Sequence, residues 1–222
     1  MSRPMAITIT RELGSGGAYI AMRVARRLGY AYMDHQILQE AAKELGCHHE
    51  ELQDRDERLQ TFWDKLIAVF ALGAPEGIYI PPPRWISDER LIETEKRLLH
   101  ELAAKGPCVV VGRGAFYLLR GQAKLFNVFV HAPLSFRIRR VMSMYKLTDE
   151  KEAAEMIDRS DQERGRYIRF CTGLDRLDAR NYHMSLDTGT IDFVSAAEMI
   201  VDVVGRQREE GDWPWVADPV PV

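Results

Sequence analysis

Two runs in this chain, "PCVVVG" at residues 107–112 and "LFNVFVHA" at 125–132, are apolar without regular alternation. A strand on a half-solvated sheet alternates inward and outward side chains, so a strand that stays apolar is buried on both faces. Both faces are covered when helices cross over between parallel strands, which makes βαβ units the expected building blocks. The rest of the chain fits. Residues 5–10 read as a β-branched strand, 30–33 as a short strand that delivers Asp34 at its end, and 182–188 ("YHMSLDT") as the last strand. Helical patterns are expected at 18–28, 35–45, 49–72, 87–104, 134–145, 149–168 and 193–206. The first places Ile20, Val24, Ala25 and Leu28 on one face and stops at Gly29. The expected fold is α/β, a five-stranded parallel sheet with helices on both faces. "GAPEGIYIPPPRW" (73–85) cannot be helical, and residues 47–84 interrupt the alternation as an insertion beside the sheet.

The first strand runs into "RELGSGGAY", residues 11–19, and a helix follows at once. A glycine-rich turn before a helix aims backbone amides and the positive end of the helix dipole at an anion, so Gly14, Ser15, Gly16, Gly17, Ala18 and Tyr19 form a candidate phosphate loop. It matches neither common nucleotide motif. The dinucleotide pattern wants a third glycine where Tyr19 stands, although Asp34 lies at the distance of its ribose-binding acid. The mononucleotide loop wants a lysine and then a hydroxyl, and Gly17, Ala18 and Tyr19 occupy those places.

Downstream arginines narrow the choice. In "IDRSDQERGRYIR" (157–169), Arg159, Glu163 and Arg166 share one helical face, flanked by Arg164, as suits a lid closing on transferring phosphates. "VVVGRG" ends a buried strand with Arg113, at the strand end where α/β sheets collect ligands. Arg137 and Arg140 share a helical face and form a phosphate patch or a solvated surface, and Asp187 lines the site or caps a turn. Arg11 is the nearest cation to the loop and is the candidate to fold back over it. The 30 basic residues are 23 Arg and 7 Lys, a bias that fits two-point gripping of phosphate and equally a GC-rich genome.

Composition excludes other classes. A net charge of -3 gives no drive toward nucleic acid or an anionic membrane. The apolar run 66–74 is too short to span a bilayer, and "TFWDKLIAVFALG" around it reads as core or as a homodimer surface. Cys47, Cys108 and Cys171 show no CxxC spacing, and with no room for a leader before the first strand a reduced, cytoplasmic setting is expected. "CHHEE" (47–51) lacks the geometry of a closed metal site, and no metal-ligand set is expected.

Taken in order, "ITITRELGSGG", "LGYAYMDHQILQEAA", "VVVGRGAFYLLR", "VFVHAPLSFRIRRVM", "DRSDQERGRYIRF" and "NYHMSLDTG" resemble the cytidylate kinase-like proteins, relatives of nucleoside monophosphate kinases in the P-loop class. The resemblance covers roughly residues 5–205. It implies a three-layer P-loop NTPase-like domain over 1–206, a small monophosphate-binding insertion, a short lid at 147–170 and a tail, 207–222, bearing Trp213 and Trp215. It further implies ATP with Mg²⁺ as donor and a pyrimidine nucleoside monophosphate such as CMP or dCMP as acceptor. Gly14 and Gly16 match the loop glycines, Asp34 the acid contacting the acceptor, Arg113 the arginine of a Gly-Arg-Asp segment, and Arg159 and Arg166 the lid arginines. Gly17 stands in place of the phosphate-binding lysine, Tyr19 in place of its threonine, Gly114 in place of the aspartate of the Gly-Arg-Asp segment, and Val111 in place of the acid before it. Mg²⁺ would be held through water by Asp34 or Ser15. The alternatives are a nucleotide sensor that kept the fold without catalysis and an NAD(P)-dependent oxidoreductase.

Overall fold

Strands form where the apolar runs lie, and each pairs in parallel with its neighbours. A computed structural model of the chain describes residues 4–34 and 89–209. Five strands, β1 (Met5–Arg11), β2 (Ala31–Met33), β3 (Cys108–Val111), β4 (Lys124–His131) and β5 (Met184–Asp187), make one sheet in the order β2-β3-β1-β4-β5. All pairings are parallel, with Ile7 beside Val109 on one side and Phe126 on the other.

Helices cover both faces, as the unbroken apolar strands require. The described helices are α1 (Gly17–Leu28), α2 (Glu89–Lys105), the single turn α3 (Ala115–Leu118), α4 (Leu134–Tyr145), α5 (Glu150–Thr172) and α6 (Phe193–Glu209). One core packs Ile20, Val24 and Ala25 of α1 and Ala197, Ile200 and Val204 of α6 against Ile7, Ile9, Val109, Val128 and Val130. On the opposite face, Leu98, Leu99 and Leu102 of α2 with Ala115 and Leu119 pack on Ala6, Met33, Cys108 and Val110. A third cluster, Leu13, Val141, Ala153 and Ile157, docks α4 and α5 beside the loop that follows β1.

The expected strands and the later helices agree with these elements within a few residues, and α5 runs on to Thr172. The helices expected at 35–45 and 49–72, the break at 73–85, the insertion at 47–84, "CHHEE" and the tail beyond residue 209 lie outside the described residues. Among the described residues no helix is long and apolar enough to cross a membrane.

Candidate functional site

β1 is the central strand, and its carboxyl end, flanked by those of β3 and β4, is where this architecture gathers ligands. The loop Glu12–Gly16 leaves that end. Gly14 and Gly16 take left-handed angles (φ 83° and 79°), which L side chains rarely adopt. At Gly16 a side chain would also strike the ring of Phe193, whose nearest atom lies 2.5 Å from a Cβ placed there. α1 then starts at Gly17 with no side-chain cap and no acid in its first turn. The first amides of a helix, here Gly17, Ala18 and Tyr19, have no partner within the helix, so this end is open to an anion.

Ser15 faces the other way. It is fully buried, and its hydroxyl lies 2.9 Å from the Glu12 carbonyl and 3.1 Å from that of Val130, while its own carbonyl accepts from Thr188 at 2.8 Å. Of the two residues expected to hold Mg²⁺ through water, Asp34 and Ser15, the second turns its oxygen inward onto β4. Tyr19, in the threonine position, packs on Phe193 with ring centroids 5.9 Å apart.

The space at Gly17 is taken by Arg11. A Cβ on Gly17 would lie 2.5 Å from Arg11 Cβ and 3.1 Å from its Cγ. Farther along, a Cβ on Gly112 would collide with Arg11 Nη1. The Arg11 side chain therefore runs from the end of β1, over the first residue of α1, to the end of β3, in a channel kept open by two glycines. Burial and the neighbouring Arg164 pull its pKa down to about 9, with Arg113 adding to that, while Tyr32 and Asp34 act to raise it. It remains a cation at neutral pH, held near two others. Tyr32 donates to Asp34 Oδ2 at 3.3 Å, and burial together with that carboxylate pushes its phenol upward. Arg113 sits in a left-handed conformation (φ 54°) between Gly112 and Gly114, with its guanidinium 4.6 Å from the centre of the Tyr167 ring. A non-glycine residue in this region is costly and marks functional turns.

The arginine that α5 brings toward Arg11 is not one of the two expected. At 100° per residue, buried Ile157 and Ile168 share a face with Asp161 and Arg164. Arg159, Glu163 and Arg166 fall on the opposite face, where both arginines are exposed. Apolar anchoring sets the rotation of the helix, and charge spacing alone does not reveal it.

Arg137 is also differently employed. It is buried, with Nη1 2.6 Å from Asp161 Oδ2 and Nε 3.3 Å from Glu12 Oε2, and it donates to the Ala132 carbonyl at 3.0 Å. Its guanidinium joins α4 to α5 and the loop in an internal ion cluster, where the sequence left a phosphate patch or a solvated surface open. Removing one partner of such a cluster leaves buried charge uncompensated. Arg137→Ala is expected to lower unfolding stability by about 3–5 kcal/mol, read by chemical denaturation. Arg140 stacks 4.4 Å above Phe193, next to Gly16. Asp187 accepts from the Gly189 amide at 2.8 Å, the turn-capping alternative. It also lines a groove of about 400 Å³ with Glu12, His131 and Tyr182.

Sequence reasoning missed Asp161, Tyr32, Tyr167, Arg176 and Phe193. Their roles come from long-range packing, and the local pattern carries a signal for Asp161 alone, as the residue that shares the Ile157–Ile168 face with Arg164.

Three comparisons place these features. Residues 6–190 match the model of the cytidylate kinase-like family. A cytidylate kinase from Aeropyrum pernix is 28% identical over 116 residues, which are 52% of this chain and 66% of that protein's length. Among solved structures, an uncharacterized protein from Eubacterium ventriosum superposes with a TM-score of 0.66 at 22% identity, covering 90% of this chain and 98% of the other. A gluconokinase from Sinorhizobium meliloti gives 0.53 at 15% identity, covering 95% and 97%. The fold is thus the three-layer α/β fold of P-loop kinases.

Proposed function

Since the chain belongs to the cytidylate kinase-like family, we propose that it transfers the terminal phosphoryl group of ATP to a pyrimidine nucleoside monophosphate, using Arg11 where relatives of this class use a loop lysine. The observation that carries this is the Arg11 channel: Gly17 leaves room for the Arg11 stem and Gly112 for its guanidinium, which reaches the end of β3 beside the loop. The absence of a lysine at position 17 is then a relocation of charge.

The described residues fit a polyphosphate. The uncapped start of α1 offers the amides of Gly17, Ala18 and Tyr19 to the β-phosphate. Arg164 and Arg113 both lower the Arg11 pKa, and a phosphate bound beside Arg11 would offset that repulsion. Arginines placed where charge develops are the main catalytic device of phosphoryl transfer, and a phosphate acceptor needs little general-base help. Asp34 and Arg113 would orient the acceptor, and Arg140, stacked on Phe193, would contact the nucleotide. Asp34 would hold Mg²⁺ through water, and the ion would supply charge neutralisation when bound with the nucleotide.

A ranking of the arginines follows. Arg164→Ala is expected to lower turnover about 10-fold or more, while Arg159→Ala and Arg166→Ala, on the outward face, lower it less. Steady-state rates of the three variants check this, and equal or reversed losses would restore the outward pair as the transfer-facing residues.

The sensor reading is kept because the Ser15 hydroxyl lies against the Glu12 and Val130 carbonyls and a tyrosine stands at position 19 in place of the expected threonine. Mg-ATP with a panel of nucleoside monophosphates separates the two. Turnover of any acceptor supports the kinase, and tight nucleotide binding without turnover supports the sensor. The cytoplasmic setting and a homodimer remain part of the proposal.

A further inference from the structure

We infer, resting on the reading of the loop as a phosphate site, that Asp161 is a positioning residue which sets the direction of the Arg11 charge from the lid helix. Its Oδ1 accepts from the Leu13 amide at 3.0 Å, one residue before Gly14. Its Oδ2 takes Arg137 Nη1 at 2.6 Å. Arg164 Nη1 lies 3.3 Å from Oδ1 and Arg176 Nη1 4.0 Å from it. Arg176 then donates from that same nitrogen to the Arg11 carbonyl at 3.3 Å. The backbone is therefore held at Leu13 directly and at Arg11 through Arg176. Between them, Glu12 is gripped by Arg137 and accepts from the Ala132 amide at 3.3 Å.

The side chains of Asp161, Arg137 and Arg176 are 13%, 10% and 6% exposed, so these charge-assisted bonds operate largely out of water and hold their geometry firmly. Asp161 also shares α5 with Arg164, three residues on. One carboxylate thus registers the loop, the relocated cation and the lid helix against each other before any nucleotide arrives. Preorganised charge of this kind needs no rearrangement when phosphate binds.

An ion cluster that merely stabilised the fold would act alike whether or not Arg11 were present, and a double-mutant cycle separates the two roles. Mg-ATP affinity is measured by calorimetry on the full chain, on Asp161→Asn, on Arg11→Ala and on the double variant. Asp161→Asn is expected to weaken ATP binding about 10-fold with Arg11 present and less than about 2-fold without it. Equal losses in both backgrounds, or none in either, would overturn the inference.

A second readout needs no nucleotide. Asp161→Ala is expected to speed hydrogen exchange at the Leu13 amide about 10-fold or more relative to Ile9 in β1. If that variant does not fold, Asp161→Asn is read instead. If the unaltered chain binds no ATP, the phosphate-site reading fails and the Leu13 exchange alone decides for Asp161. Unchanged exchange there overturns its positioning role.

Discussion

Arg11→Ala is expected to lower phosphoryl transfer by about 10²–10³, the usual effect of removing one positioned group facing the developing charge. The fold should be retained. Arg11 carries its charge among protein atoms and beside Arg164, which lowers its pKa to about 9. A base whose folded pKa is depressed binds its proton less tightly in the folded chain, so below about 9 its charge works against stability. That penalty fades as pH rises above about 9 toward the ordinary arginine value. Removing the guanidinium at pH 7 relieves that penalty, so the fall in unfolding midpoint should be smaller than for Arg137→Ala. Turnover and thermal unfolding on the same preparation check both halves. A large loss of stability with unchanged turnover would make Arg11 a structural residue.

The second large effect concerns Gly17. Restoring the lysine of the common loop by Gly17→Lys is expected to reduce activity, against the intuition that it repairs a defect. A Cβ at this position would lie 2.5 Å from Arg11 Cβ and 3.5 Å from Val130 Cβ, atoms rooted in β1 and β4 that cannot rotate away. Overpacking of this kind costs about 1–3 kcal/mol. At about 2–4 °C per kcal/mol for a chain of this size, the fall in unfolding midpoint is measurable. The exchange becomes permissible when Arg11 is cleared to its backbone. Arg11→Gly with Gly17→Lys is expected to recover about 10-fold or more of the transfer lost in Arg11→Gly alone, since a single cation is then restored. A Gly17→Lys chain that is as stable as the original and more active would mean that the glycine marks a simple loss.

The frame of the molecule was legible because burial on two faces leaves an unmistakable trace. "CVVV" and "LFNVFVH" could be little else than central parallel strands, and they became β3 and β4. Gly14 and Gly16 were legible as a loop for a similar reason, since a left-handed backbone at the end of a strand selects glycine. The employment of the arginines was not legible. Arg159, Glu163 and Arg166 have ideal spacing for a shared face, yet Ile157 and Ile168 turn that face away from β1. Arg137 looked like half of an open patch until Glu12 and Asp161, 125 and 24 residues away in the chain, closed around it. Gly17 read as a missing lysine because the side chain that displaces it arrives from Arg11, on the far side of the loop. Periodicity reports which residues share a face. Which neighbour that face meets is decided by tertiary packing.

Arg11 is proposed as the phosphate-facing cation of this loop. The most direct measurement is a crystal structure of the full chain with Mg²⁺ and a non-hydrolysable ATP analogue. The Arg11 guanidinium is predicted to lie at about 2.7–2.9 Å from oxygens of the terminal phosphates, with the Gly17, Ala18 and Tyr19 amides around the β-phosphate. An Arg11 that stays against Asp34 and Tyr32 while another side chain meets the phosphates would contradict it.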